Sequence, residues 1–364
     1  MPGGTELKNE VLASSTCTLC GACLDWCPYI ANLEDHLVLR FDCNVAEGRC
    51  YSVCPRTFAD WQTISAKYLP DTPGNVEIGP YFTTYKTKAV QPVNGQQDGG
   101  TVSQLIKTVL EEELAQTVLL TGSEDRITPQ PFLSAEIKDI QKATGSRFLA
   151  SPGMRKIIEA QENNVKQLAV IGRPCQIQAL RKLDYNRPLH KPPMEMLTIG
   201  LFCMWSLGWN FKDYLQQKYP GEDILGIAIP QHGFEVTTDQ ATHNIPFEET
   251  REFIRPGCSY CMDMTAELAD ISVGAFEPEK GWNTVIIRTQ KGQDLFAQAC
   301  SKGYLVCEEY PEAELQRLKG ASLTKKKRGL DASQSLFERG VKPFIDIDSE
   351  FYQQVRELAE GAVK

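Results

Sequence analysis

The sequence predicts a mixed α/β fold in which a small cysteine-rich domain at the amino terminus precedes a larger α/β domain. Seven of the thirteen cysteines precede residue 68, whereas short apolar runs alternate with helical patterns beyond that point. The turn-rich segment Pro70–Asn75 separates the two regions. We therefore expect four segments, which are the small domain (1–68), a linker (69–90), the main domain (91–333) and a helical tail (334–364).

The elements of the main domain follow from the spacing of apolar residues. A helix is expected over 102–110, where apolar side chains recur at helical intervals and form one stripe. The same spacing over 351–358 predicts an amphipathic helix that covers the core or docks a neighbouring protein. Short apolar runs predict strands at 117–120, 168–171, 197–202, 271–273 and 284–287.

The composition indicates a soluble cytoplasmic protein with no membrane span. The chain has 364 residues, and it contains no apolar run of about 18 residues, the length needed to cross a bilayer. Its start lacks the basic and apolar stretches of a signal peptide. A formal charge of -9 argues against a nucleic-acid partner. The basic run 325–328 is expected to be a solvated surface stretch.

The most specific motif is a run of four cysteines followed by a proline. Its spacing, two, two and three residues between successive cysteines, is the spacing with which bacterial-type ferredoxins hold 4Fe-4S clusters. A structural zinc site or disulfides are the alternatives, but zinc sites seldom use so regular a run, and cytosolic proteins seldom keep disulfides. The run consists of Cys17, Cys20, Cys23, Cys27 and Pro28.

A second, imperfect copy of the motif follows at Cys43, Cys50 and Cys54. In the crossed arrangement of two-cluster ferredoxins, Cys54 joins Cys17, Cys20 and Cys23, and Cys27 joins Cys43 and Cys50. The slot three residues before Cys50 is Glu47, so the second site lacks an identified fourth ligand. Glu47, Asp42, a water or a three-iron cluster could fill it, and buried packing of Cys43 and Cys50 is the alternative.

Two more cysteines, Cys175 and Cys203, directly follow expected strands. Ligand crevices in open α/β sheets lie outside the carboxyl ends of the strands, so neighbouring strands would bring both thiols to one edge. Cys258 and Cys261 form a CxxC pair in a later loop, which makes a third four-thiolate site possible. A redox pair, half of a zinc ribbon or buried packing are the alternatives. Cys300 and Cys307 are assigned to packing without partners.

Small residues before an expected helix suggest a phosphate seat. Gly99 and Gly100 allow backbone amides to approach a pyrophosphate, and Thr101 begins a helix whose amino terminus favours anions. A simple turn is the alternative, since the GxGxxG fingerprint is absent. Ser146 and Arg147 could hold a phosphate or a ring edge, or they could form a solvent-facing loop.

Several segments after residue 96 form a recognisable series, which is QDGG (97–100), GSRF (145–148), RPCQIQALRKL (173–183), GLFC (200–203), CSYCMDMTAELADISVG (258–274) and GWNTVIIRT (281–289). Through these segments the chain resembles the beta subunits of coenzyme F420-reducing hydrogenase and F420-linked formate dehydrogenase. The resemblance implies bound FAD, a 4Fe-4S cluster on Cys175, Cys203, Cys258 and Cys261, and a reduced deazaflavin or similar hydride carrier docking at the flavin.

The resemblance completes the expected architecture, a small bacterial-ferredoxin-like domain followed by an α/β flavin-binding domain. The amino-terminal part is similar to the extension of some family members, with Glu47 as the departure at the second cluster. A ring could stack near Gly274 or near Trp282, which could equally belong to the core. The candidates for holding FAD are Gln97, Asp98, Gly99, Gly100, Thr101, Ser146, Arg147, Gly274, Trp282, Asn283 and Thr284.

These features predict an iron-sulfur flavoprotein subunit of an oxidoreductase complex. It would exchange hydride with F420 or a similar soluble carrier at FAD and pass single electrons through two to three 4Fe-4S clusters. Its partner would be a hydrogenase, formate dehydrogenase or heterodisulfide-reductase-like subunit. The alternatives are an electron-transfer adaptor without an external hydride substrate, or a direct reductase of an organic substrate.

Overall fold

A computed structural model describes residues 2–187, 193–230 and 233–361. Its helices are α1 (Gly4–Leu7), α2 (Arg49–Ser52), α3 (Trp61–Tyr68), α4 (Thr101–Glu111), α5 (Lys156–Glu162), α6 (Pro174–Tyr185), α7 (Asn210–Lys218), α8 (Phe247–Thr250), α9 (Gln290–Ser301), α10 (Glu312–Glu338) and α11 (Glu350–Gly361). Its strands are β1 (Ile30–Leu33), β2 (His36–Leu39), β3 (Thr83–Ala89), β4 (Thr117–Gly122), β5 (Gln130–Ser134), β6 (Gln167–Gly172), β7 (Glu195–Leu201), β8 (Ile224–Ala228), β9 (Phe234–Thr238), β10 (Thr242–Ile245), β11 (Ile271–Ala275), β12 (Asn283–Ile287) and β13 (Leu305–Glu309).

An eight-stranded sheet in the order β13-β3-β12-β11-β7-β6-β4-β5 forms the centre of the molecule. Strands β11, β7, β6 and β4 pair in parallel, and antiparallel strands complete both edges. Both faces are covered: Leu119 of β4 packs with α5 and α6, whereas Val118 and Leu120 pack with α4 and α9. The mixed α/β class, the five expected strands and the helix expected over 102–110 are therefore confirmed.

The amino-terminal segment shares its core with the main domain. Leu24 and Val53 belong to the same buried cluster as Ile157 of α5 and Leu180 of α6. The β1–β2 hairpin pairs only within itself, so the contact with the main domain depends on side chains and loops. Burial of apolar surface across this contact favours one compact unit over two loosely tethered ones.

Two expected boundaries fall inside regular elements. Residues 83–89, within the stretch expected to be a linker, form β3 and pair with β12 and β13. Helix α10 runs unbroken from 312 to 338, through the expected start of the tail at 334. Beyond it α11 packs on α10 through Val355 and Leu330, as a helix that covers its own domain. Residues 362–364 of the tail lie outside the described residues.

Two assignments made from the sequence are wrong. The basic run 325–328 is only half solvated, because Lys325 and Lys326 are 1% and 3% exposed, whereas Arg328 is exposed. The expectation failed because α10 turns one face toward the protein and the lysines lie on that face. Cys300 and Cys307 do pack on the core as expected, but they also pair as a disulfide between α9 and β13.

A smaller sheet of β8, β9 and β10 encloses an aromatic cluster with α7. Phe211 of α7 and Phe234 of β9 are fully buried there, with ring centroids 5.4 Å apart. Within the part of the chain that the structure describes, no helix combines the length and apolarity that a bilayer crossing requires.

Candidate functional site: three cysteine groups and a loop cluster

The first cysteine group joins one turn-rich loop to the end of α2. Burial, with smaller contributions from Cys54 and Cys175, raises the pKa of Cys17 to about 11. Burial also raises the pKa of Cys23, with Cys20 and Cys54 as the next causes. Because Coulombic interactions weaken with distance, these thiols lie in one neighbourhood. The structure thus brings Cys54 near the Cys17–Cys23 loop.

Backbone amides point at two of these sulfurs. Leu19 N–H donates to Cys17 Sγ over 3.4 Å, and Arg56 N–H donates to Cys54 Sγ over 3.4 Å. Hydrogen bonds to ligand sulfurs are one of the means by which proteins tune iron-sulfur sites. The local backbone therefore directs N–H donors at the two sulfur atoms.

The second cysteine group lies between the β1–β2 hairpin and α2. Burial raises the pKa of Cys50 to about 11, and Cys27 and Cys43 are among the charges that raise it. Thr5 Oγ1 donates to the Cys43 carbonyl over 2.5 Å, which fixes that loop against α1. Glu47, a candidate for the fourth ligand, is exposed.

The third cysteine group gathers residues from three distant segments. Cys175 follows the amino-terminal proline of α6, and Cys203 follows β7, the parallel neighbour of β6. Cys258 and Cys261 lie in and after a short 3-10 turn at Pro256–Tyr260. Burial, with smaller contributions from Cys258 and Cys175, raises the pKa of Cys203 to about 12. Cys175 and Cys203 thus lie near one another beyond the carboxyl ends of two neighbouring strands.

The three groups adjoin one another. Cys175 of the third group raises the pKa of both Cys17 and Cys20 of the first, so the two groups are neighbours. Cys50 of the second group likewise raises the pKa of Cys23. The second cysteine group therefore lies nearest the hairpin, the first group lies in the middle, and the third group lies nearest the main sheet.

A glycine contact sets the spacing between the first and third groups. A Cβ atom on Gly257 would lie 2.5 Å from the Cys17 carbonyl oxygen and 2.7 Å from that of Thr16. Only glycine allows the two backbones to approach this closely. Arg255 strengthens the same junction, because its guanidinium donates to the Asp35 side chain over 2.7 Å and to the Cys17 carbonyl over 3.5 Å.

Buried cations line the first and third groups. Lys182 is 3% exposed and donates to the carbonyls of Cys54 and Thr57, each over 2.8 Å. Lys325 is 1% exposed and donates to the carbonyl of Cys203 over 2.5 Å. Arg56 is also buried, and its Nε has no hydrogen-bond partner.

The cations change which sulfur is most acidic. Burial raises the pKa of Cys261, but Lys325 and Arg56 outweigh burial and lower it. Buried cations therefore favour a thiolate at this position, which is the form that binds metals. The sequence analysis missed Arg56, Lys182 and Lys325, because nothing in their local sequence distinguishes a buried cation from a surface one.

No three His, Cys, Asp or Glu side chains within residues 2–187, 193–230 and 233–361 are grouped so as to hold a single metal ion. A 4Fe-4S cluster places each thiolate on a different iron atom, so its ligands need not converge on one point. The donor set of buried thiols, amide donors to sulfur and nearby cations is the set that such clusters use.

The flavin candidates form a second assembly, in two parts. In the first part, Ser146 N–H donates to the Gln97 side chain over 3.0 Å, which joins the loops at 97–100 and 145–148. Burial lowers the pKa of Arg147, and the nearby charge of Arg126 lowers it further. Arg147 Nε is buried without a partner. Two neighbouring cations with a free N–H are suited to an anionic ligand.

In the second part, Asn283 ties together the start of α4 and the end of β11. Its Oδ1 accepts from Thr101 N–H over 3.1 Å, and its Nδ2 donates to the Gly274 carbonyl over 3.2 Å. A Cβ atom added at Gly99 would lie only 2.6 Å from Asn283 Oδ1, so the turn packs directly on this side chain. Gly100 ends the turn in the left-handed region.

The remaining candidates are occupied by protein contacts. Trp282 is 5% exposed, and the ammonium groups of Lys86 and Lys88 lie 4.0 and 4.2 Å from its ring centroid. Thr284 Oγ1 donates to the Ala275 carbonyl over 3.3 Å. Burial raises the pKa of Asp98, which has left-handed backbone geometry.

Two cavities in the described residues lie away from the flavin candidates. One of about 590 Å³ lies between the amino-terminal segment and α5, and is lined by Asp25, Asn32 and Arg155 among others. Another of about 190 Å³ lies at the amino-terminal ends of β6 and β7, away from Cys175 and Cys203. The hydrogen-bonded loops, rather than a cavity, therefore define the candidate flavin region.

Comparison with known proteins identifies related sequences. Residues 84–157 match the family described as the N-terminal part of the coenzyme F420 hydrogenase/dehydrogenase beta subunit, and residues 165–313 match the C terminus of the same beta subunit. The chain is 28% identical over 324 residues to a subunit of the F(420)H(2) dehydrogenase of Methanosarcina mazei, covering 84% of this chain and 88% of that protein.

A further relative and one solved structure extend the comparison. The chain is 30% identical over 309 residues to the coenzyme F420-dependent sulfite reductase of Methanocaldococcus jannaschii, covering 79% of this chain but only 46% of that protein. A chain of the F420-reducing NiFe hydrogenase complex of Methanosarcina barkeri matches with a TM-score of 0.67 and 24% identity, covering 75% of this chain and 98% of that chain. This last likeness supports the fold.

Proposed function

Because the chain belongs to the coenzyme F420 hydrogenase/dehydrogenase beta-subunit family, we propose that it is the iron-sulfur flavoprotein subunit of an oxidoreductase complex. It exchanges hydride with a soluble carrier, F420 or a similar molecule, at bound FAD. Single electrons then pass between the flavin and a partner subunit through 4Fe-4S clusters.

The observation that carries this proposal is the unbroken row of three cysteine groups. Cys175 interacts electrostatically with Cys17 of the first group and with Cys203 of its own third group. Cys50 of the second group interacts in the same way with Cys23 of the first group. Thiolates packed in neighbouring sites are the arrangement expected of an electron relay. The first group would be Cys17, Cys20, Cys23 and Cys54, the second Cys27, Cys43 and Cys50, and the third Cys175, Cys203, Cys258 and Cys261.

The flavin proposal is supported by the two joined loops and by the paired cations. Arg147 and its neighbour Arg126 would hold phosphate, and the Gln97–Ser146 bond would orient the loop around it. Asn283 fixes the amino terminus of α4 beside the same loops. A flavin, when bound, exchanges two electrons with a hydride carrier and single electrons with iron-sulfur clusters.

The partner would be the protein that takes up or supplies single electrons. The relatives are named as components of F420-linked hydrogenase and dehydrogenase enzymes, and as a sulfite reductase. We propose a partner of the hydrogenase, formate dehydrogenase or heterodisulfide-reductase-like kind. The second cysteine group lies nearest the exposed hairpin and would be the exit toward that partner.

The test is to purify the full chain without oxygen and assay iron, acid-labile sulfide and flavin. Reduced F420 and NADH are then mixed with it separately while the flavin absorbance is followed. Prompt bleaching by one donor supports the proposal, whereas bound flavin that neither donor bleaches favours an adaptor without its own hydride substrate. A preparation that lacks iron and sulfide would contradict the proposal outright.

A further inference from the structure

Lys325 reaches the third cysteine group from the long helix α10. Its ammonium donates to the carbonyls of Cys203 and Asp263, over 2.5 and 2.8 Å. Gly329, one turn later on α10, allows this approach, because an added Cβ there would lie 2.7 Å from the Cys261 carbonyl. The helix is therefore seated directly on the CxxC loop, with Lys325 pointing into the group.

Lys182 has the equivalent place at the first cysteine group. Helix α6 begins beside Cys175 and carries Lys182 two turns further on, at the spacing that puts both on one face. Its ammonium donates to the carbonyls of Cys54, Thr57 and Phe58 and to the Thr57 hydroxyl, over 2.7 to 3.0 Å. Each of these oxygen atoms can accept a hydrogen bond, and an ammonium group can only donate, so the site suits a lysine ammonium.

The second cysteine group differs in its surroundings. Among the described residues up to Cys50, no lysine or arginine is buried. The distribution of buried charge therefore differs between the outer group and the two inner groups.

We propose that Lys182 and Lys325 are positioning residues whose fixed positive charges raise the reduction potentials of the first and third clusters. The inference rests on the proposed function, since it assumes 4Fe-4S clusters in those two groups. Uptake of one electron adds one negative charge to a cluster and makes or breaks no bond. A nearby buried cation stabilises that extra charge, and low-polarity surroundings strengthen the effect.

The charges that face Lys325 come from every segment packed around it. Besides the thiols of Cys203, Cys258 and Cys261, the Asp263 carboxylate lies close enough to act on it. Removing the lysine charge would take away one of the buried cations, with Arg288, that interact with Asp263. Because Lys325 is buried, its loss should lower the potential more than the loss of an isolated surface charge would.

The test uses the full chain, purified without oxygen and titrated with dithionite while cluster signals are followed by electron paramagnetic resonance. Cys203→Ala identifies the signal of the third cluster. Lys325→Gln should lower the equilibrium constant for one-electron reduction of that cluster at least tenfold, a shift of about 59 mV. Lys182→Gln should do the same to the first cluster, and each variant should leave the other cluster unchanged.

The matched control is Lys327→Gln, which changes a more exposed lysine on the same helix. The Lys327 ammonium pairs with Asp331 at the surface, so the potential of the third cluster should stay near that of the wild type. Lys325→Arg retains the charge and should also keep the potential close to the wild-type value.

The outcomes separate this inference from the proposed function. A third cluster that is present but keeps its potential in Lys325→Gln overturns the inference alone. If the cluster is lost in Lys325→Gln but kept in Lys325→Arg, the result supports a requirement for the positive charge. If the cluster is lost in both variants, Lys325 has a packing role and the inference is overturned. Equal iron in the wild type and Cys203→Ala contradicts the third cluster, and with it the proposed function.

Discussion

Replacing Gly257 by alanine tests whether close backbone contact holds the first and third cysteine groups together. Gly257 is buried and directly precedes Cys258. Its α-carbon faces the carbonyls of Thr16 and Cys17, which belong to the amino-terminal segment. A methyl group at this position would enter the junction between the two groups without changing any proposed ligand.

The expected size of the effect follows from the contact distances. The added Cβ would lie 2.5 Å from the Cys17 oxygen, so the two backbones must separate by about 0.5 Å to reach 3.0 Å. Both sides of the contact are backbone, so no flexible side chain can move aside. Forced overpacking of this kind costs about 1–3 kcal/mol of stability. We expect the apparent free energy of unfolding to fall by that amount and the iron content to fall with it.

Urea unfolding of the anaerobically purified chain, followed by tryptophan fluorescence, measures this change. The matched control is Gly226→Ala in β8, where an added Cβ meets nothing within 4 Å. That variant should stay within about 0.5 kcal/mol of the wild type. If Gly257→Ala unfolds at the wild-type urea concentration and keeps all its iron, the junction is not as tight as the contact implies.

Three further predictions concern single side chains. Asn283→Ala should lower the free energy of unfolding by about 1–3 kcal/mol and retain less flavin, because the buried Thr101 N–H loses its acceptor. A variant with the melting temperature and flavin content of the wild type would refute this prediction. Burial raises the pKa of Glu267 to about 7, against the opposing charge of Lys326. A carboxyl group whose pKa is raised by folding stabilises the folded state below its unfolded pKa of 4.5, and this stability is lost as the pH rises through about 7. The urea midpoint of the wild type should therefore fall between pH 4.5 and 7, and Glu267→Gln should make that fall smaller. Wild-type and variant profiles that run parallel over this pH range would count against the prediction. Cys203→Ala should remove the iron of one cluster and leave the other clusters, as measured by iron assay and paramagnetic resonance; unchanged iron would show that Cys203 is not a ligand.

Much of the fold was predictable because it depends on short-range pattern. The strands at 168–171 and 197–202 and the helix over 102–110 follow from apolar spacing, which reports local geometry directly. The expected linker was harder, because Thr83–Ala89 becomes an inner strand only by pairing with β12 and β13. Pairing with distant strands leaves little trace in the local sequence of a short, half-polar strand.

The candidate site divides in the same way. The cysteine spacing over 17–27 and the family segments after residue 97 led to the prediction of three cysteine groups and a flavin region, whose ligands stay predictions. They could not predict that Lys325, within a basic run that resembled a surface stretch, is buried against Cys203. A lysine side chain has the same local propensity on either face of a helix, and tertiary packing alone decides which face is covered.

The sequence by itself determined which cysteines are spaced as candidate ligands, because ligand spacing within a short loop is a local property of the chain. Only the tertiary structure decided that Cys175 stands beside the Cys17 loop, and that buried lysines accompany the two inner groups. Those contacts join segments far apart in sequence, and they exist because burial of the shared core brings these segments together.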